Sequence, residues 1–226
     1  MRVGIIGAGH IGGTLARRLR SLGHEVAIAN SRRPETLAPL AAEIGAEATT
    51  PKVAASGRDM VVVTVPMRQI PALKGVLDDA APGTVVIDTC NYYPRQRDGR
   101  IEAIETGATE ARWVATELGR PVIKVFNNIN WQKLLYNGLP AGTPARIALP
   151  VAGDDKAAKA RVMALVDSLG FDAVDAGGLD DSWRQQPGQP AYAADLPRAA
   201  LVAALGAATT RRPHEFVGRP GDPQPR

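Results

Sequence analysis

The feature that most constrains this chain is a short apolar run feeding directly into spaced glycines: Val3-Gly4-Ile5-Ile6 continues as Gly7-Ala8-Gly9-His10-Ile11-Gly12. Each glycine has its own geometric task. Gly7 permits a tight exit from a strand, Gly9 removes a side chain where something must approach the backbone, and Gly12 lets the following helix lie close to the sheet. With 23 glycines in 226 residues, such spacing arises by chance about 0.2 times in a chain of this length. The surroundings therefore carry the inference. A helical stretch runs to Leu22, Gly23 stops it, and a second β-branched run begins at Glu25, as a βαβ unit requires.

The same rhythm continues along the chain. Apolar runs predict strands over 2–6, 25–29, 60–65, 84–88, 122–126, 146–152 and 171–175, with a weak one over 46–49. Helices are expected over 10–22, 34–44, 68–79, 110–118, 154–169 and 191–207. Met60-Val61-Val62-Val63-Thr64-Val65 shows no alternation of apolar and polar residues, which fits a strand covered on both faces rather than one half-exposed to water. The fold expected is α/β: a doubly wound, Rossmann-type, mostly parallel sheet with a small C-terminal lobe. Residues 1–127 form the nucleotide-binding domain in this reading, 128–207 a substrate and dimerisation lobe, and 208–226, rich in proline, a disordered tail.

The turn has a chemical consequence. A helix that opens at His10 and Ile11 presents unpaired N–H groups and the positive end of its dipole, and these suit a pyrophosphate. The end of the second strand selects the dinucleotide. An acidic residue there would bind a ribose 2′-hydroxyl, but the chain reads Asn30-Ser31-Arg32-Arg33. A serine hydroxyl and two guanidinium groups suit a 2′-phosphate, so NADP(H) is the coenzyme expected. Thr64, Val65 and Pro66 fall at the carboxyl end of the third long strand, where open α/β sheets hold ligands, and are expected along the coenzyme ribose and nicotinamide. Asn127, after the fifth long strand, joins the coenzyme set. Asn91, Tyr92, Trp131 and Trp183 are the expected substrate contacts.

Other classes are disfavoured. The net charge is +4, of which the last sixteen residues carry +2, and basic residues elsewhere are scattered rather than clustered with aromatics, so no nucleic-acid partner is expected. The weakly polar stretch from Leu196 to Ala208 is broken by Pro197 and Arg198, so no membrane span is expected either. His10, His24 and His214 lie on unrelated segments, and no metal site is expected. A single cysteine, Cys90, allows no intramolecular disulfide. The expectation is a cytoplasmic protein without a leader. Tyr92 and Tyr93 are followed four residues later by Gln96 and Arg97 rather than lysine, which argues against a short-chain dehydrogenase. No catalytic residue is assigned, although Tyr92, Tyr93 and Lys124 are the proton donors available for a carbonyl substrate.

Several motifs taken together carry a family resemblance. Gly7 to Arg33, Thr64-Val65-Pro66, Val125-Phe126-Asn127-Asn128, Ala152-Gly153-Asp154-Asp155 before a helix, and Asp175-Ala176-Gly177 after the next strand resemble the coenzyme F420-dependent NADP oxidoreductases. The chain is also similar to the NADPH-binding domain of membrane metalloreductases. The resemblance, over residues 2–207, implies hydride transfer between NADPH and a second redox carrier, either deazaflavin F420 or a flavin, in a homodimer. Where deazaflavin-reducing relatives carry a histidine, this chain has Asn127, and Trp131 stands where a small residue would admit a flat carrier. A quinone, a metal chelate or a small carbonyl is the alternative acceptor, and a non-catalytic NADPH-binding redox sensor is the rival reading.

Overall fold

The computed structural model describes residues 1–222. Six strands make one parallel sheet: β1 (Arg2–Ile6), β2 (Glu25–Ala29), β3 (Glu47–Ala48), β4 (Met60–Val63), β5 (Val85–Asp88) and β6 (Val122–Lys124), in the order β3-β2-β1-β4-β5-β6. Register is set by the apolar runs, with Val3 opposite Val26 and Met60, and Val62 opposite Ile87. The strand order reverses between β1 and β4, the place where such sheets open a crevice at their carboxyl ends.

Alternating residues of one strand feed two different cores, which explains the unbroken hydrophobicity of β4. Met60 and Val62 join Leu15, Leu19 and Val166 on one face, whereas Val61 and Val63 join Met67, Val114 and Leu118 on the other. The first face is covered by α1 (His10–Ser21), α2 (Ala38–Ile44) and α7 (Lys156–Ser168). The second is covered by α3 (Pro51–Ala55) and α5 (Glu110–Leu118), with the short α4 (Glu102–Glu105) just before α5.

The C-terminal part adds α6 (Trp131–Tyr136), α8 (Arg198–Gly206) and a second, two-stranded parallel sheet of β7 (Ala148–Val151) and β8 (Asp172–Asp175). The small sheet is tied to the large one through an antiparallel bridge. The Lys124 amide donates to the Ala152 carbonyl at 2.8 Å, and the Ala152 amide donates back at 3.1 Å. One core contains Ile5, Leu15 and Val62 together with Leu149, Val162 and Phe171, so the segments either side of residue 127 share an interior.

Several expected elements are shorter than their patterns. The 68–79 helix is a 3₁₀ segment over Met67–Leu73 followed by turns, because Pro71 lacks the amide an α-helix needs. The 191–207 helix begins only at Arg198, after Pro197. The disordered tail is corrected over residues 209–222. Arg95 donates to the Val217 carbonyl at 3.2 Å, the Gly218 amide to Glu105 at 2.7 Å, and Arg100 to the Gly218 carbonyl at 2.9 Å. Residues 223–226 of that expectation lie outside the described residues.

The tail also completes a buried line of charge. Asp88, Lys124 and Glu110 are all 0% exposed. Lys124 Nζ lies 3.0 Å from Asp88 and also donates to the Cys90 carbonyl. Glu110 accepts from Arg212 at 3.0 Å and from the Tyr92 amide at 3.1 Å. Burial pushes the Glu110 carboxyl up against the pull of Arg212 and Lys124. Burial also opposes the Lys124 charge, but Asp88 and Glu110 outweigh it and hold the ammonium in its charged form. Replacement of Lys124 by methionine leaves the buried Asp88 charge without its counter-ion, with the Cys90 amide at 2.8 Å still donating to Oδ1. Lys124→Met is expected to lose about 3–5 kcal/mol of stability, read as a lowered urea midpoint; an unchanged midpoint would show that the pair contributes nothing.

Candidate functional site

The crevice is built by the glycine turn. Gly7 adopts φ 113°, and its amide donates to the Ala29 carbonyl at 2.8 Å, so the chain leaves β1 still tied to β2. A Cβ on Gly12 would stand 1.9 Å from the Gly7 carbonyl oxygen and 2.7 Å from the Thr64 methyl, so α1 packs against the turn at a distance only glycine allows. Gly9 differs. A Cβ there would meet nothing within 4 Å, so its missing side chain is not required by the protein's own packing. Gly9 is also the N-cap of α1 and contributes no side-chain bond to the helix. The first amides of α1, from His10 and Ile11 onward, have no partner within their own helix, as at any helix start.

Beside the turn lies a groove of about 310 Å³ bounded by Gly9, His10, Arg17 and Trp131. The His10 and Trp131 rings stack with centroids 5.0 Å apart and planes 12° apart. Asn130 caps α6 by accepting the Gln132 amide at 2.8 Å, and α6 packs on α1, which brings Trp131 to the turn although it is 121 positions later.

The corner after β2 is fixed by its own backbone. Asn30 accepts the Arg32 amide at 2.9 Å and donates to Thr36 at 3.1 Å, an Asx turn that leads into Pro34. Ser31, Arg32 and Arg33 are exposed, and neither arginine enters an ion pair among the described residues. Thr64, Val65 and Pro66 are half-buried just past β4, with the Thr64 amide donating to the Ile6 carbonyl at 2.9 Å.

A second cluster sits at the ends of β5 and β6. Asn127 is buried. It donates to Asn91 Oδ1 at 3.1 Å and to the Gln185 carbonyl at 2.8 Å, and it accepts from Gln185 Nε2 at 2.9 Å. Asn91 donates to the Asn127 carbonyl at 2.7 Å and reaches the Tyr192 hydroxyl at 3.4 Å. The Tyr192 and Tyr93 hydroxyls share a hydrogen bond, and the Arg97 guanidinium lies over the Tyr93 ring at 5.2 Å. Burial, then the Tyr93 hydroxyl, pushes the Tyr192 phenol far above its ordinary range. Gln185 and Tyr192 were not singled out from the sequence. They sit 58 and 65 residues from Asn127, Gln185 at the end of a 3₁₀ segment and Tyr192 in the stretch expected from the sequence to open a helix.

Two of the expected substrate contacts are corrected. Tyr92 is 0% exposed and faces the core, its hydroxyl accepting the Ile101 amide at 2.8 Å and its ring lying beneath Arg212. Trp183 lines a separate cavity of about 650 Å³ with Glu105, Gln186, Arg212 and Val217, which shares no lining residue with the groove at the glycine turn. Lys124 is sealed beneath the sheet end in its pair with Asp88 and cannot meet a substrate. Burial and the nearby Asp88 push the Cys90 thiol well up, so it is not a nucleophile. Among the described residues no three His, Cys, Asp or Glu side chains gather as a metal site, and no helix is long and apolar enough to cross a membrane.

This turn, strand order and crevice define a doubly wound fold of the Rossmann type. Residues 2–92 match the family model described as NADP oxidoreductase, coenzyme F420-dependent. The Escherichia coli K12 protein YjhV is 44% identical over 70 residues, which are 31% of this chain and 51% of that protein, so the match spans about half the length of that curated relative. The hypothetical protein SMa0349 of Sinorhizobium meliloti superposes with a TM-score of 0.73 at 29% identity, covering 88% of this chain and 95% of that one. A structure from Arthrobacter sp. FB24, described as a candidate F420-dependent NADP reductase, gives 0.65 at 25% identity, with 79% and 86% covered.

The glycines make a paired prediction. Gly12→Ala is expected to destabilise the fold by about 1–3 kcal/mol through its clash, whereas Gly9→Ala leaves the urea midpoint unchanged and weakens dinucleotide binding at least about tenfold. Equal effects of the two substitutions on stability would refute the division of labour.

Proposed function

We propose that the protein is an NADPH-dependent reductase that passes a hydride to a small redox acceptor. The observation that carries this reading is the corner after β2, where a Ser31 hydroxyl and two guanidinium groups, neither in an ion pair among the described residues, stand on an Asx turn with no acidic residue from Asn30 to Arg33. A carboxylate there would repel a 2′-phosphate, and arginine binds phosphate through charge-assisted bonds worth about 1.5–3 kcal/mol each. The fit extends to the turn, where the side-chain-free face of Gly9 and the uncapped start of α1 are open to a pyrophosphate.

In this reading Gly9, His10, Ile11 and Gly12 hold the pyrophosphate; Asn30, Ser31, Arg32 and Arg33 hold the 2′-phosphate; and Thr64, Val65 and Pro66 border the nicotinamide ribose. The bound coenzyme supplies the hydride. The protein's work is then to fix distance and orientation and to shield the reacting atoms. The family name of the N-terminal segment and the name of the Arthrobacter neighbour both support an NADP-linked redox role. The acceptor in those names is F420. Here the stacked His10–Trp131 pair forms one wall beside the turn, and Asn91, Asn127, Tyr93 and Tyr192 form a polar group on the segments that follow β5 and β6 and on the loop before α8. A flavin or deazaflavin carrier and a smaller carbonyl or quinone are therefore the acceptors to compare.

Arg32→Ala is expected to weaken NADPH at least about tenfold in calorimetric titration while leaving NADH within about twofold. Equal losses for both coenzymes would remove the corner from the binding site. Turnover is tested by following nicotinamide absorbance with F420, FMN, quinones, ketones and ferric chelates. Consumption with one acceptor supports the enzyme, and tight binding with no consumption across the panel would support the redox sensor instead.

A further inference from the structure

Two side chains of the second cluster are held by unusual backbone. Phe126, immediately before Asn127, has φ 62°, and Ala193, immediately after Tyr192, has φ 52°. A left-handed conformation is a true outlier for a bulky aromatic residue, and such strain gathers where a fold must aim a functional group. The two sites are joined, because the Ala193 amide donates to the Asn128 carbonyl at 3.0 Å. The strained pair therefore holds the loop bearing Tyr192 against the loop bearing Asn127.

The hydroxyls are also connected to the outside. The Tyr192 hydroxyl lies 3.4 Å from Asn91 Nδ2, three residues past the end of β5, and is hydrogen-bonded to the Tyr93 hydroxyl. Tyr93 is half-buried, with Arg97 over its ring. Arg97 is itself anchored to the Asn91 carbonyl at 2.7 Å and to buried Asp98. Tyr192 is a half-buried phenol backed by a second phenol and a guanidinium, so a proton it gives up is replaced along the hydrogen bond; because burial disfavours its phenolate, that proton moves only as charge develops on the acceptor.

We propose that Tyr192 is the proton donor of this site and that the acceptor carries a polar double bond to be protonated, a C=O or C=N group. The proposal rests on the hydride-transfer reading above. In the balanced step the hydride of NADPH bonds to the acceptor carbon, the π pair moves to oxygen or nitrogen, and that atom bonds the Tyr192 hydroxyl proton. The phenolate left behind takes a proton from Tyr93, which takes one from solvent, with Arg97 stabilising the transient negative charge.

The test compares acceptors that do and do not need a proton. A ketone and a cyclic imine need one, whereas 10-methylacridinium accepts hydride and becomes neutral without one. Tyr192→Phe is expected to lower kcat on the ketone or imine about a hundredfold and to leave the acridinium rate within about twofold. In a readout that involves no turnover, calorimetric binding of cyclohexanone to the protein loaded with NADP⁺ weakens about tenfold in Tyr192→Phe, the loss of one hydrogen bond. The proposal is overturned if the variant slows both acceptors alike, if it spares the ketone and imine, or if the wild type reduces acridinium but neither of the others. A wild type that reduces none of the three overturns this proposal, whereas the hydride-transfer reading falls only if the wider acceptor panel above also goes unconsumed.

Discussion

The contact on which the rest of the structure depends is the approach of α1 to the ends of β1 and β4. At Gly12 the helix comes so near the Gly7 carbonyl and Thr64 that no side chain fits between them. That closeness fixes where the helix begins, and so where its free amides point. It also sets the distance from the turn to the corner after β2, because the Gly7 amide is bonded to Ala29, the last residue of β2. The start of α1 and the corner bearing Arg32 and Arg33, the two phosphate contacts proposed above, are then held on one frame. That is the condition for one ligand to engage both at little ordering cost.

Much of this was legible in the sequence because it is local. The strand, turn and helix from Val3 to Leu22 form one continuous segment, and the missing acid after β2 is a property of four adjacent residues. The double-sided burial of β4 could be read from four apolar residues in a row, since only a covered strand tolerates them. The helices that failed did so at prolines, where patterning by hydrophobicity ignores the missing amide.

What the sequence concealed is long-range. In an extended loop neighbouring side chains point to opposite sides, so Asn91 and Tyr93 meet Asn127 and Tyr192 while Tyr92 between them enters the core. No pattern in one sequence says which phase the loop takes. Tyr192 and Gln185 lie far along the chain from Asn91 and Asn127 and meet them only through the tertiary fold. The C-terminal segment is the sharpest case. Its prolines and arginines read as disorder, yet Arg212 partners Glu110, a residue whose sequence position suggests nothing more than an exposed acid in the first turn of α5.

The account holds that the cationic corner after β2 grips a 2′-phosphate. Phosphorus NMR of NADP⁺ bound to the wild-type protein tests this directly, because the 2′-phosphate gives its own resonance and titrates near neutrality in solution. Bound beside Arg32 and Arg33, its signal should move on complex formation and its titration should shift to lower pH, since neighbouring cations favour the dianion. A bound coenzyme whose 2′-phosphate keeps its solution shift and titration would contradict the account.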